Sequence, residues 1–453
     1  MSVNKLLDIS RRSLLTYQKA LSVTSNNVSN ANNPDYSRQR VIFGSEAPDV
    51  RTKFSIGSGA TIDSIQRITS DITESQIRIY SQDYSASNRE SEILSSIEAL
   101  LSDTDNQGLS AFINEYFDSW DELAVNPTSS ALRTNVIQSA QKMSGKLETM
   151  YDGMTRIRNN LRSEAREMVN TINNSLEQIN TLNKQIYESV ANNSQPNDLL
   201  DKRDALLSEL SDTVNINVSF DKYNVANVSI GGVFAVDRIS ATEFKLVEEN
   251  GDIFLGTADD AARVSLQGGE FSAVSNAFNN TIPSYQEELD NIAVAIMDNV
   301  NTLHRTGYSL TNPPQTNLDF FSAYDHGVLT INTQILNDVN LISASSQSGQ
   351  NGNNEIALQL AGLKNDDLMD GLTISETYSA LVSQIGNEKR LHEQNAESYN
   401  LVLEQLELQK AETSGVSVDE EMVDILKFQR SYDAAARLIR VADELFETLL
   451  SSI

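Results

Sequence analysis

The sequence predicts a mainly α, multidomain α+β protein: terminal helices that pair as a coiled coil, a long-helix domain between them, and a small inserted β domain. Three observations carry this. Leu7, Leu14, Leu21 and Val28 recur every seven residues near the start, and Met422, Ile425, Tyr432, Ala436, Ile439, Phe446, Leu450 and Ile453 follow a similar seam near the end, interrupted by Gln429 and Asp443. Ile157, Leu161, Ala165, Met168, Ile172, Leu176, Ile179, Leu182, Ile186 and Val190 step by three or four. Val214, Ile216, Val218 and Phe220 then alternate with polar residues. A spacing of seven makes a narrow apolar seam suited to packing helix on helix, steps of three and four make one buried helix face, and alternation makes a half-buried strand.

In chain order, the first helix should end in the run NNVSNANNPDYSRQR, because Asn competes for backbone hydrogen bonds and Pro34 biases Asn33 away from helix. SRQRVIF and KFSIGSGATIDSIQRI look extended. Ile77, Tyr80, Tyr84, Ile93, Ile97 and Leu101 give a helical stripe, and NQGLSAFINEYFDSWDELAVNP a shorter helix stopped before Pro127. The long helix is expected over residues 154–190, then LLDKRDALLSEL with Asp198 as its cap. NVSIGG, FKLVEENGDIFLGT and ARVSLQGG read as strands, with Asn250-Gly251 as a hairpin turn. Helix returns over 283–302 and again over 374–410, where Glu388, His392 and Asn395 make the middle turns polar. TSGVSVDEEM breaks the pattern before the last helix, which at about 1.5 Å per residue would run about 50 Å.

The 453 residues suffice for several domains, and 63 acidic against 34 basic residues give a net charge of −29. Such a surface repels phosphate backbones and anionic lipid, so neither nucleic acid nor membrane is an expected partner. Cysteine is absent, which removes disulfides, thiol nucleophiles and thiolate metal sites together. No stretch has the length and apolarity of a membrane span, and MSVNKLLDISRRSLL lacks a cleavable leader pattern, so the protein is expected either in the cytoplasm or exported by a route that cleaves nothing.

Catalytic chemistry is not expected, nor is a cofactor or a metal. His304, His326 and His392 are too far apart in sequence for a helical metal pair. The loop SDTDNQGLSAFIN places Asp103, Asp105 and Gly108 as a calcium loop would, but Gln107 and Asn114 stand where oxygen ligands belong, so a helix cap is the better account. IGSGA lacks the following Lys-Ser/Thr of a phosphate loop, and EELD and DEEM read as solvated helix starts favoured by the helix dipole.

ALSVTSNNVSNANNPDYSRQRVIF, residues 20–43, resembles the N-terminal motif of the flagellar axial proteins of rod, hook and hook-associated type, with Asp35 where the family often has Gly. SGVSVDEEMVDILKFQRSYDAAARLIRVADELFETLL, residues 414–450, resembles the paired C-terminal motif. GLSAFINEYFDSWDELAVNPTSSALR, NDLLDKRDALLSELS and IAVAIMDNVNTLHRTGYSL followed by DFF resemble the FlgK-type hook-associated family. The resemblance implies a structural protein of the bacterial flagellum, forming the ring between hook and filament and exported unfolded by the flagellar type III apparatus. Implied partners are copies of itself, the hook protein, a second hook–filament junction protein, the filament cap during assembly, and a cytoplasmic export chaperone at the C-terminal region. Alternatives are a hook or rod protein of the same group, or a surface adhesin or enzyme using the β insertion as a binding module.

The expected organisation is residues 1–70 with 412–453 as a terminal helical assembly domain plus extended linker, 71–211 with 271–411 as the long-helix domain, and 212–270 as the inserted β domain, with a further β/loop segment at 318–350. In the assembly interface Leu7, Leu14, Leu21 and Val28 are expected to face Met422, Ile425, Ala436, Ile439 and Phe446. Asn27, Asn30, Tyr36 and Arg38 would form the turn and its contacts, and Gln429 and Tyr432 would set register. Such ends are expected to order only among neighbouring copies, as segments that fold on binding do.

Overall fold

The computed structural model describes residues 3–45, 57, 59–102, 108–259 and 262–451. The acidic part of the calcium-like loop, IGSGA apart from Gly57, Gly59 and Ala60, the start of the expected strand KFSIGSGATIDSIQRI, and Ile453 lie outside these residues. Eleven α-helices and nine strands are described: α1 (Val3–Ser29), β1 (Gln39–Ser45), β2 (Ala60–Arg67), α2 (Asp71–Leu101), α3 (Leu109–Val125), α4 (Ser130–Ala191), α5 (Asn197–Thr213), β3 (Ile216–Phe220), β4 (Ala226–Ile230), β5 (Val233–Val236), β6 (Phe244–Glu249), β7 (Asp252–Thr257), α6 (Glu270–Asn276), α7 (Ile282–Thr306), β8 (Phe321–Asp325), β9 (Val328–Ile331), α8 (Thr333–Asn337), α9 (Glu355–Gly362), α10 (Ile374–Ser414) and α11 (Val418–Ser451).

The long helix is longer than its sequence stripe suggested: α4 begins at Ser130, not near 154, and runs 62 residues. Val136, Ile137, Ala140, Met143, Leu147 and Met150 already continue the same buried face. Gly145 and Gly153 masked it, because glycine lowers helix propensity by about 1 kcal/mol. Gly153 has a packing reason, since a Cβ there would come within 2.5 Å of the Leu100 side chain of α2.

The strands are small antiparallel sheets, β3–β4–β5 and β6–β7, with Asn250-Gly251 turning the second hairpin at positive φ as expected. ARVSLQGG forms no strand; Arg263 makes only an isolated bridge to Gly256. The sheets lie on α4 and share its apolar core: Val228, Ile230, Phe244 and Leu255 belong to one cluster with Ile172, Leu176 and Ile179. Side chains of α4 act as a strand edge there. Asn183 donates to Ala226 O (2.8 Å) and accepts from Ala226 N (3.0 Å), and Asn173 does the same with Phe244 (2.8 Å each). The helix thus satisfies backbone groups that would otherwise be left unpaired.

The same core holds the aromatic group Tyr116, Trp120, Phe320 and Phe321. His304 is buried within it. Its Nδ1 meets Leu318 O at 2.7 Å and its Nε2 accepts from Ser343 N at 2.9 Å, so the ring is neutral with the proton on Nδ1. Burial pushes its pKa down to about 4.

α2 and α10 form a long antiparallel pair, pinned by Lys410–Glu74 (3.0 Å), His392–Glu90 (2.9 Å) and Lys389–Glu98 (2.9 Å). The polar middle turns of α10 are therefore in contact, with Glu388 also accepting from Tyr285. This pair leads into α11 through Gly415.

Candidate assembly interface

α1 and α11 pack antiparallel, since Asn27 near the end of α1 meets Glu421 at the start of α11, and Tyr17 lies against Phe428 with ring centroids 6.4 Å apart. The expected facing of the two seams is corrected here. α11 buries Glu421, Phe428, Ala435 and Ala442, and α1 buries Ser10, Thr16, Ala20, Thr24 and Asn27. Small residues let the axes approach, and their hydroxyls need no outside partner: Ser10 Oγ donates to Leu6 O (2.8 Å) and Thr24 Oγ1 to Ala20 O (3.0 Å). Leu7, Leu14, Leu21 and Val28 are only half-buried, as are Ile425, Ala436 and Ile439. Gln429 is exposed, and Met422, Tyr432 and Phe446 are 48%, 36% and 44% exposed. The two helices are also formed and paired within one chain, where the sequence suggested ends that order only among neighbours.

Both seams lie on the same side of the pair. The β1–β2 ribbon covers the other side, through Thr16 Oγ1 to Ala60 O (3.2 Å) and a groove lined by Val23, Gln39, Val41, Asp424 and Lys427. At about 100° per residue, each seam lies beside the buried stripe of its own helix and away from its ribbon-facing residues. Because the helices are antiparallel, those two flanks become one surface. Tyr17, Phe43 and Phe428 close the ribbon side with centroids 5.7–6.4 Å apart.

The Asn-rich turn is built around Asn27, whose amide is satisfied on every side. Its Nδ2 donates to Gln39 O (2.8 Å) and Glu421 Oε2 (2.9 Å), and its Oδ1 accepts from Tyr36 Oη (2.8 Å) and Gln39 N (3.0 Å). Arg38 donates to Glu421 Oε1 (2.7 Å) and Glu420 Oε2 (2.8 Å), and its backbone N–H to Ser414 O (3.0 Å). Asn30 turns back on Asn26 (2.9 Å to its carbonyl). Burial pushes the Tyr36 phenol up to about 12, with the Asp201, Asp198 and Glu421 carboxylates adding to it. The turn therefore joins Asn27, Tyr36 and Arg38 as expected, whereas Gln429 and Tyr432 make no contact with it.

Glu421 was missed. DEEM reads as a solvated helix start, yet Glu421 is 2% exposed and is the acceptor on which the joint closes. Its signal was the spacing of seven to Phe428, Ala435 and Ala442. Below the joint, the ribbon is tied to the α4–α5 corner by Arg67–Asp204 (2.6 Å), Asn197 Nδ2 to Ile65 O (2.9 Å) and Ile65 N to Gln195 Oε1 (2.6 Å). Among the described residues no group of three His, Cys, Asp or Glu side chains is placed to hold a metal ion, and no helix is long and apolar enough to cross a membrane.

Joined chain ends, an uncovered apolar face and a closed helical core define a structural subunit. The sequence model of the flagellar hook-associated protein FlgK helical domain matches residues 94–321, and that of the flagellar basal body rod FlgEFG protein C-terminal region matches 409–452. The chain belongs to the FlgK family of flagellar hook-associated proteins, structural components of the flagellum and not enzymes. It is 26% identical to flagellar hook-associated protein 1 of Bacillus subtilis (99% of this chain, 98% of that one) and 23% identical to the Salmonella typhimurium protein of the same name (99% and 100%). Its fold matches the flagellar hook junction protein FlgK from Burkholderia pseudomallei with a TM-score of 0.63 at 14% identity, over 75% of this chain and all of that one. As a flagellar axial component, the chain associates with itself and with other flagellar proteins.

Proposed function

We propose that this chain is a subunit of the junction between hook and filament, seated among copies of itself by the shared face of α1 and α11. The observation that carries the reading is the placement of both seams on one uncovered side of the helix pair. Leu7, Leu14, Leu21, Val28, Met422, Ile425, Tyr432, Ala436, Ile439 and Phe446 supply the apolar contact; Gln429 sets register within it. Asn27, Asn30, Tyr36 and Arg38 hold the angle of the pair against the rest of the chain. Residues 1–70 with 412–453 act as the assembly unit. The chain leaves the cell unfolded by the flagellar export route, with a chaperone on its C-terminal region. It then meets the hook protein below, and a second junction protein and the filament cap above.

Leu14→Asp and Ile439→Asp each place a charge in the contact, where burial without a partner is costly. Each variant should be secreted and folded yet absent from the flagellum. The host should carry hooks without filaments and release flagellin to the medium. Normal motility with either variant would overturn the reading.

A further inference from the structure

We propose that a second apolar flank of α11 receives the seam face of a neighbouring copy, so that chains join head to tail; this rests on the function proposed above. Ala434, Leu438, Val441 and Leu445 step by four, three and four along the other flank of the stripe that faces α1. Leu438, Val441 and Leu445 are 45%, 46% and 47% exposed. On the same flank nearer the helix start stand Asp424, Lys427 and Ser431, beside the ribbon, so the apolar run begins past the Phe43–Phe428 contact.

Charge says what covers this flank. The seam face has one ionisable group along its stripe, Asp443, and no cation. The antiparallel alignment set by Asn27–Glu421 and Tyr17–Phe428 carries Lys5 and Arg12 of α1 alongside the second flank. A seam docked there brings Asp443 toward a basic edge, while a seam docked on another seam buries it without a cation. Two unlike faces on one helix pair make a heterologous contact, which propagates around an axis instead of closing as a dimer.

The absence of native cysteine makes the test direct. Tyr432→Cys, Phe446→Cys and Val441→Cys are made singly in the full chain in its host, with the doubles Tyr432→Cys/Val441→Cys and Phe446→Cys/Val441→Cys. Isolated hook–filament structures are treated with a flexible bis-maleimide, which tolerates a shift of a helical turn. The doubles should give a ladder of dimers, trimers and higher species, and the singles none. Dimers from a single seam variant, or doubles that remain uncross-linked although present in the flagellum, would overturn the proposal. Absence of the unsubstituted chain from the same preparations, read by blotting, would instead defeat the functional reading on which it rests.

Discussion

Asn27 and Glu421 show how two side chains decide the placement of two helices. Removing the Asn27 amide leaves the Gln39 N–H and the Tyr36 hydroxyl short of an acceptor, which costs about 1–3 kcal/mol. Glu421→Ala leaves Arg38 partly buried without its main carboxylate, at about 2 kcal/mol once solvent screening of a one-fifth exposed guanidinium is allowed for. In hydrogen exchange, Asn27→Ala and Glu421→Ala should lower protection across α1 and α11 and leave α4 and α7 unchanged, because the joint belongs to a cluster separate from the main core. Equal loss in α4 would contradict this. His304 predicts a pH effect of definite sign. Its folded pKa lies below the ordinary 6.5, so between about pH 6.5 and about pH 4 the unfolded chain takes a proton that the folded one refuses, and stability falls by up to roughly 3 kcal/mol as pH drops. Urea unfolding of His304→Asn against the parent across this window should show a flatter acid slope in the variant.

At the scale of elements, periodicity was legible wherever burial followed apolar residues. The stripes of α2, α7 and α10 and the alternation of β3 could be read directly. α4 was half-hidden because its glycines serve close packing, a reason no local pattern displays. The α1–α11 contact was misread for a related cause. The eye follows leucine, but the buried stripe is Ser, Thr, Ala and Asn on one helix and an every-seventh set on the other. Asn173 and Asn183 were equally illegible, since nothing in a helical pattern says that an amide will stand in for a neighbouring strand. Gly269, with φ of 80°, precedes α6 with its Cα hydrogen against the backbone of Val214, where a Cβ would fall 2.6 Å from Val214 N and Cα. Gly269→Ala should cost about 2 kcal/mol or more, from combined strain and overpacking, visible as a lower melting temperature with no loss at the terminal joint.

For the whole molecule, the nested order of the chain matters more than any one patch. The absence of Cys and of any expected catalytic group pointed to a structural role, and the motifs at the two ends pointed to the axial proteins. What the sequence left open was which side of each terminal helix would be covered, because that depends on the ribbon and on antiparallel pairing. Both are set by contacts between residues almost four hundred positions apart, such as Asn27 with Glu421.

That separation has a temporal meaning. One half of the uncovered face lies in the first segment to be translated and the other half in nearly the last. A partly synthesised or partly delivered polypeptide can display only a single ridge, too narrow to hold on. The architecture thus withholds adhesion until the tail has arrived, and truncated products are rejected by geometry without any dedicated inspector.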